Sequence, residues 1–170
     1  LTVDDVKMSK SLGNFVTIKE ALELYSAEAI RFFVLSSHYR KPVDFSRDAM
    51  IAAERGVERL HNTVRALRQR MEAAQSPGTA ELSEVGNLMP FSEQFTEAMD
   101  DDFNTPQAIA ALFDLNRRVN ELLNSGKDLS QGTLAAIDDI YDQLGRRVLG
   151  IIPKELTDDV SGELVEVLMD

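Results

Sequence analysis

The feature that most limits the fold is a long amphipathic pattern that runs from Ser46 to about Ala74. Apolar residues recur there every three or four positions, and arginines occupy much of the remaining surface. This period places the apolar side chains along one face of a single long helix. Ser46 is a favourable N-cap, and Ser76-Pro77-Gly78 breaks the pattern at its end. The apolar face consists of Ile51, Val57, Leu60, Val64 and Leu67.

Two shorter helices are predicted before the long one. Thr17 and Glu20 have the spacing of a capping box, which begins a helix. Ser26 is the N-cap of a second helix that extends to Leu35. Val43 to Phe45 alternates like a short strand after the break at Lys41-Pro42. The buried face of the second helix is expected to hold Ala29, Ile30, Phe33 and Val34.

Further helices follow a polar linker that reaches Asn87. In the second of them Thr105 is expected to be the cap, with Pro106 at the first helical position. Residues 160–169 resemble another helix that is cut off where the chain stops. Antiparallel helices with short connections form a bundle, so the predicted fold class is mostly α. The three complete helices are predicted at Pro90 to Met99, Thr105 to about Leu123, and Ser130 to about Leu149.

The first sixteen residues show no helical period and predict a mobile loop rather than a packed element. They contain the segment Lys7-Met8-Ser9-Lys10-Ser11-Leu12-Gly13-Asn14. Its lysines offer two ammonium groups on flexible stems, its serines donate hydrogen bonds, and Gly13 permits a tight turn. Such groups suit a multiply charged anion that is bound at one step and then released, such as pyrophosphate leaving ATP. The order Lys-Met-Ser-Lys-Ser arises by chance at roughly one position in a few million, which disfavours an unrelated basic loop.

Charge is distributed unevenly along the 170 residues. The net charge is −11, which on its own argues against a nucleic-acid partner. Residues 1–75, however, carry a net charge of +2, whereas residues 76–170 carry −13. A polyanion would be attracted to the first part and repelled by much of the second. For most of the acidic part we expect no more than a solvated surface.

The sequence has no cysteine and only two histidines, His38 and His61. Disulfides, cysteine-ligated metals and histidine-rich metal clusters are therefore excluded from this chain. No apolar run approaches the length of a membrane span, and no basic-then-apolar leader opens the chain. A cytoplasmic location without a membrane partner is the expectation that fits these observations.

The residues Lys7 to Ser11 spell the strict KMSKS signature, and in this the chain resembles the class I aminoacyl-tRNA synthetases. Later blocks are similar to the cysteinyl-tRNA synthetases in particular and keep the order of that family. Together the blocks extend over about two thirds of the chain, and the similarity fades after Gly150. The blocks are Ser11-Leu12-Gly13-Asn14-Phe15, Ala27-Glu28-Ala29-Ile30-Arg31-Phe32-Phe33, Ser37-His38-Tyr39-Arg40, Met99-Asp100-Asp101-Asp102-Phe103-Asn104-Thr105-Pro106, Ala108 and Leu112-Phe113-Asp114.

The resemblance implies a functional division of the chain near residue 45. Residues 1–45 would be the end of the class I catalytic domain, with its signature loop and a stem-contact region. Residues 46–170 would be a DALR-like, tRNA-binding helical bundle that is cut off at its C-terminus. Lys7 and Lys10 would be catalytic, and the ATP-binding residues would be Lys7, Met8, Ser9, Lys10 and Ser11. The candidates for tRNA contacts are Arg31, His38, Arg40 and Lys41.

Simpler structural roles compete with several of these assignments. Arg31 has a possible carboxylate partner in Glu28 on the same helix. Asp100 to Asp102 lack the spacing of a calcium loop, and we interpret them as favouring the positive start of the next helix. His61 is interpreted as a packing or surface residue rather than a ligand.

The resemblance also implies parts that this sequence lacks. The H-I-G-H motif and the cysteines that hold the family's zinc are absent. The full-length enzyme would use ATP with Mg²⁺, cysteine and tRNA(Cys), and its zinc would belong to the N-terminal domain. The present chain is expected to bind no cofactor, to be inactive alone and to be a monomer.

Two alternatives stay open. The related ligase that joins cysteine to an amino-sugar in mycothiol synthesis shares the signature loop but needs no tRNA. The length of the bundle and the block Asp100 to Pro106 favour the tRNA enzyme over it. A stand-alone helical RNA-binding or interaction module is the other alternative.

Overall fold

The structure is a computed structural model that describes residues 2–3, 6–9, 16–74 and 77–156. Helices dominate it, which confirms the prediction of a mostly α fold built as a helical bundle. A π-helical segment, Asp142–Val148, continues the last α-helix. The elements are β1 (Thr2–Val3), β2 (Val6–Lys7), α1 (Ile18–Leu24), α2 (Ala27–Leu35), β3 (Asp44–Phe45), α3 (Arg47–Ala73), α4 (Leu82–Gly86), α5 (Met89–Asp100), α6 (Thr105–Leu123) and α7 (Gln131–Tyr141).

The long helix α3 forms as its sequence predicts. The Ser46 side chain accepts the Ala49 amide and caps its start, and the chain leaves the helical conformation at Ala74. The predicted apolar face is buried except at Ile51, which is half-buried. This face contacts α2, α6 and α7. The helix is therefore the central support of the bundle.

The caps of the first two helices are also confirmed. Thr17 and Glu20 form the complete capping box of α1, and the Ser26 side chain accepts the Ala29 amide at the start of α2. The reciprocal bonds satisfy amides that the first helical turn leaves without a partner. Local sequence signals were sufficient for both helix starts.

The buried face of α2 differs from the prediction at two residues. Val34 is 52% exposed, whereas Phe32 is buried beside Phe33. The Phe32 ring lies against α3 where Gly56 has no side chain, since an added Cβ there would stand 2.8 Å from the ring. Phe32 also meets the ring of Phe113 edge-on, with 6.0 Å between the centroids. The glycine on the neighbouring helix thus determines which face of α2 is buried.

A small three-stranded sheet precedes the bundle. β1 pairs antiparallel with β2 and parallel with β3, in the order β2-β1-β3. The Thr2 amide donates to the Val43 carbonyl at 2.9 Å. The prediction of a loop without packed elements was therefore wrong for residues 2–3 and 6–7, because a strand partner far along the chain is available to them. The predicted strand near residues 43–45 is confirmed as β3.

The predicted linker to Asn87 contains a short helix, α4, that contacts α5 and α7. Glu84 on α4 is buried and accepts from the ammonium group of Lys127. Leu88 follows it and is 1% exposed. The linker prediction was wrong here because a polar segment can still be fixed by one buried ion pair and one buried leucine.

The last helix covers the predicted range but changes its hydrogen-bond pattern. The Tyr141 hydroxyl donates to the buried Asn116 side chain at 3.0 Å, and the π-helical segment begins at the next residue. Ile152 packs directly against Gly145, and the Ile151 amide donates to the Gly145 carbonyl at 2.8 Å. The chain after α7 thus folds back on the segment. The predicted helix at residues 160–169 lies outside the described residues.

Over the ranges that the structure covers, no helix has both the length and the apolar character that crossing a bilayer requires.

We predict that Gly132→Ala destabilises the bundle by about 1–3 kcal/mol, the usual cost of forced overpacking. An added Cβ would lie 2.7 Å from the Gly78 carbonyl oxygen and 2.9 Å from the Ala80 nitrogen, and both are backbone atoms. Gly86→Ala is the matched control, since nothing lies within 4 Å of its added Cβ. Urea unfolding followed by circular dichroism measures both. Equal midpoints for the two variants would contradict the prediction.

Candidate functional site

The signature segment begins at the end of strand β2. Lys7 is the last residue of β2 and pairs in register with Thr2 of β1. Lys7 is exposed, while Met8 and Ser9 after it are partly buried. Lys10 and Ser11, the remaining predicted ATP-binding residues, lie outside the described residues. The sheet therefore fixes where the signature segment starts.

The predicted tRNA candidate Arg40 has an intramolecular partner. Its Nε donates to Asp102 Oδ2 at 2.7 Å and its Nη2 to Asp102 Oδ1 at 3.1 Å. The Tyr39 hydroxyl donates to the same carboxylate at 2.7 Å. Both the hydrogen bonds from Arg40 and its charge keep the pKa of the Asp102 carboxyl below its ordinary value. Asp102 thus occupies the two guanidinium donors that a phosphate could otherwise bind in the same bidentate geometry.

His38 belongs to the same exposed cluster. Its ring stacks on Tyr39, with 4.9 Å between the centroids and 21° between the planes. Its Nε2 lies 3.8 Å from Asp102 Oδ2. The guanidinium carbon of Arg40 lies 5.3 Å from the Tyr39 ring centroid. The sequence predicted His38 and Arg40 as phosphate contacts, whereas the structure brings both of them, with Tyr39, around the carboxylate of Asp102.

The interpretation of Asp100 to Asp102 as a helix-start feature was wrong for Asp102. Its carboxylate faces the loop before β3, and the cap of α6 is the Asn104 side chain, which accepts the Gln107 amide at 3.4 Å. The predicted cap, Thr105, instead donates its hydroxyl to the Leu35 carbonyl at 2.7 Å. Asp102 has a positive φ of 54°, and its carboxylate bonds to Tyr39 and Arg40 rather than to amides at the start of α6. No local pattern indicates this arrangement.

The other two tRNA candidates are located differently. Arg31 donates from Nη1 to the Gly150 carbonyl rather than pairing with Glu28, because the chain after α7 passes beside it. Lys41 is exposed at the end of the His38–Lys41 turn, where its amide donates to the His38 carbonyl at 2.8 Å. Of the four candidates, Arg31, His38 and Arg40 therefore already use their side chains in hydrogen bonds within the chain.

Three basic side chains from the first half of the chain bind carbonyl oxygens just after the π-helical segment Asp142–Val148. Arg31 binds that of Gly150. His61 Nε2 lies 2.8 Å from the carbonyl oxygen of Ile151. Arg68 donates to the Lys154 carbonyl at 3.0 Å and to Asp138 at 2.9 Å. The interpretation of His61 as a packing residue agrees with this position.

Protonation of His61 is expected to weaken the fold below neutral pH. Burial lowers the pKa of His61 below its ordinary value, so the unfolded chain, with a histidine pKa of about 6.5, binds more protons. Stability from neutral His61 is present above that value and is lost as pH falls below it. We expect a lower urea midpoint at pH 5.5 than at pH 7.5, and a smaller difference in His61→Gln. Parallel losses in both proteins would contradict this.

Sequence reasoning missed an open polar groove of about 790 Å³ between α3 and α6. Arg59 stands over the Phe113 ring, with its guanidinium carbon 5.2 Å from the centroid. The sequence signal that could have indicated this groove is the four-residue spacing of asparagines along α6. These groups offer donors and acceptors of the kind that bind phosphate and sugar oxygens of nucleic acids. The groove is lined by Arg59, Asn62, Thr63, Phe113, Asn116, Arg117, Asn120, Glu121 and Asn124.

The family that the sequence resembles holds a zinc ion with cysteine ligands. Within the described ranges, no three histidine or acidic side chains are grouped closely enough to hold a metal ion. The sequence contains no cysteine. The residues present therefore do not fit a cysteine-containing zinc site, and no chemical step on this chain is assigned to zinc.

Comparisons with known proteins divide the chain into two matched regions. Residues 1–55 match the family model described as the class I (C) tRNA synthetase catalytic domain. Residues 94–153 match the DALR domain. The first region contains the small sheet and the signature segment, and the second contains α6, α7 and most of α5.

Curated relatives are similar over nearly the whole chain. A cysteine–tRNA ligase of Chlorobium chlorochromatii is 44% identical over 161 residues, which are 95% of this chain and 32% of that protein. One of Geobacter metallireducens is 44% identical over 160 residues, covering 91% and 33%. One of Moorella thermoacetica is 39% identical over 178 residues, covering 100% and 37%. The chain spans about a third of the length of the curated relatives it matches.

Proposed function

This chain is homologous to cysteine–tRNA ligases over about one third of their length. From that premise we propose that it supplies the signature loop and the tRNA-contacting helices of such an enzyme. In the proposed reaction a carboxylate oxygen of cysteine attacks the α-phosphorus of ATP. The new acyl–phosphate bond forms as the bond between the α- and β-phosphates breaks, and pyrophosphate leaves. Cysteine is then transferred from the adenylate to tRNA(Cys), and AMP leaves.

Lys7 and Lys10 are the proposed catalytic residues of the adenylation step. Negative charge accumulates on the leaving pyrophosphate, and ammonium groups held at that position stabilise the transition state more than the ground state. Met8, Ser9 and Ser11 complete the proposed ATP-binding segment. The observation that carries this proposal is the complete Lys-Met-Ser-Lys-Ser order, starting at the end of β2, within the residues that match a class I catalytic domain.

The functional division at residue 45 is part of the same proposal. Residues 1–45 would complete the catalytic domain, and residues 46–170 would bind tRNA. Among the predicted contacts, Lys41 has an exposed side chain, and the groove beside Arg59 adds polar groups suited to an RNA backbone. We further propose a cytoplasmic monomer that uses ATP with Mg²⁺, and zinc only in the remainder of the full-length enzyme.

The alternative ligase of mycothiol synthesis is not favoured. The matched relatives are named cysteine–tRNA ligases, and the DALR match covers the second half of the bundle. A stand-alone RNA-binding module does not explain why the first 55 residues match a catalytic domain.

A chimeric ligase tests the proposed function. The matching third of the Chlorobium chlorochromatii relative is replaced by this chain, and cysteine-dependent ATP–pyrophosphate exchange and charging of tRNA(Cys) are measured. We expect the chimera to catalyse both reactions and the 170-residue chain alone to catalyse neither. Exchange by the chain alone, or a folded chimera without exchange, would refute the proposal.

A further inference from the structure

The turn between α5 and α6 has an unusual backbone. Asp102 and Phe103 have φ angles of 54° and 51°, the left-handed region that non-glycine residues rarely enter. Burial does not explain this conformation, because the Phe103 side chain is 65% exposed. Residues held in such regions cost free energy and persist where the surroundings over-determine them. Here the result is that the Asp102 carboxylate faces the turn that precedes β3.

That carboxylate organises the whole His38–Lys41 turn. It accepts hydrogen bonds from Nε and Nη2 of Arg40 and from the Tyr39 hydroxyl. The stacked His38 and Tyr39 rings add a second layer to the same turn. A planar, bidentate arginine pair fixes orientation as well as distance. The turn is therefore held as a block against the bundle.

The same turn leads directly into the sheet that carries the signature segment. Val43, three residues after Arg40, accepts the Thr2 amide at 2.9 Å. The Thr2 hydroxyl donates to Asp44 Oδ1 at 2.7 Å, and Thr2 pairs with Lys7 across β1 and β2. Asp102 is therefore connected to Lys7 through its bonds to Arg40, the chain from Arg40 to β3, and the pairing of β3 with β1 and of β1 with β2.

We propose that Asp102 is a positioning residue for the signature loop. By holding the turn before β3, it fixes the small sheet relative to the helical bundle, and so fixes the strand end from which Lys7 to Ser11 begin. This inference rests on the proposed function for its catalytic consequence, although the mechanical link can be measured without catalysis. It connects the bundle, where tRNA is proposed to bind, to the loop proposed to bind ATP.

Two substitutions separate this role from ordinary structural support. Asp102→Asn keeps a residue that tolerates the left-handed conformation but removes the charge and one acceptor oxygen. Thr105→Val removes the hydrogen bond to the Leu35 carbonyl. That bond also joins the start of α6 to the first part of the chain, but it does not involve the turn before β3. Exposed ion pairs contribute little to global stability, and the net contribution of a single hydrogen bond is also small, so both variants should remain folded.

Amide hydrogen exchange on the 170-residue chain tests the mechanical link. In Asp102→Asn the Thr2 amide, bonded to Val43, is expected to exchange at least about tenfold faster, because sheet opening becomes more populated. In Thr105→Val its rate should equal that of the parent chain, as should core amides such as that of Leu60 in both variants. An unchanged Thr2 rate in Asp102→Asn would overturn the proposal.

Kinetics in the chimeric ligase test the catalytic consequence. We expect Asp102→Asn to lower kcat for pyrophosphate exchange by about 10- to 100-fold, because misplacing a catalytic group by about 1 Å can cost about 100-fold, with the KM for cysteine unchanged. Exchanging the two charges, Asp102→Arg with Arg40→Asp, should restore part of the loss relative to either single substitution. If the unsubstituted chimera is inactive, the proposed function fails and the exchange experiment still decides the link. An active chimera in which Asp102→Asn has full kcat would overturn the positioning role.

Discussion

Replacing both Lys7 and Lys10 by alanine in the chimeric ligase is expected to slow cysteine-dependent pyrophosphate exchange by about 10²–10³-fold, the range found when transition-state charge stabilisation is removed. The two ammonium groups would act on the leaving pyrophosphate, so the loss should appear mainly in kcat. Binding of cysteine should change little, because neither lysine is proposed to contact it. Each single substitution should have a smaller effect than the pair.

The control for this experiment is Lys19→Ala combined with Lys154→Ala. These lysines are exposed and lie outside the signature segment, so the substitution removes the same charge from the chain. We expect its exchange rate to match that of the unsubstituted chimera. A Lys7/Lys10 double variant that retains the full charging rate would remove the basis for the assigned mechanism.

Leu112→Ala is expected to produce the largest loss of stability among the core substitutions considered. Leu112 is 0% exposed and belongs to the main hydrophobic cluster on α6. Truncating a buried leucine costs about 3–5 kcal/mol, because transfer free energy is lost and a cavity remains. Total stabilities of domains are about 5–15 kcal/mol, so a measurable fraction of the variant should be unfolded at 37 °C.

Leu82→Ala is the matched control for the cavity. Leu82 is 86% exposed on α4, so its truncation removes similar atoms without opening a void, and we expect a change within about 0.5 kcal/mol. Urea unfolding gives both free energies. Comparable losses for the two leucines would contradict the complete burial of Leu112 in the core.

The sequence was a good guide to helices whose signals are local. Thr17 with Glu20, Ser26 and Ser46 all cap the helices predicted for them, since a cap requires residues only three positions apart. The buried face of α3 was also predictable, because a long helix averages its period over several turns. The face of α2 was less predictable, since it depends on Gly56 of another helix.

Features that depend on distant partners were not predictable in this way. The strands β1 and β2 contain two residues each, too few for a period, and they form only because β3 is placed beside them. Arg31 finds a carbonyl 119 positions along the chain. The interaction that organises the candidate site joins Arg40 to Asp102, and the turn that directs that aspartate has no glycine to indicate it.

For the site itself, the chemistry predicted from the sequence stays a prediction, and the geometry around His38 and Arg40 was not predicted. The order of Lys7 to Ser11 is a linear signal and could be recognised directly. The basic residues near His38 were expected to face a polyanion, but a single carboxylate organises them, and only the folded chain brings it there. Partners of exposed charges are set by tertiary turns, so charge counts along the sequence do not identify them.

The basic side chains that bind the carbonyls of Gly150, Ile151 and Lys154 fix the position of the polypeptide that follows the π-helical segment. Arg31 comes from α2, while His61 and Arg68 come from α3. Both helices also contact β3, α2 through the Phe33–Phe45 ring pair and α3 directly. A rotation of α2 against α3 would therefore displace both β3 and the carbonyl oxygens of Gly150, Ile151 and Lys154.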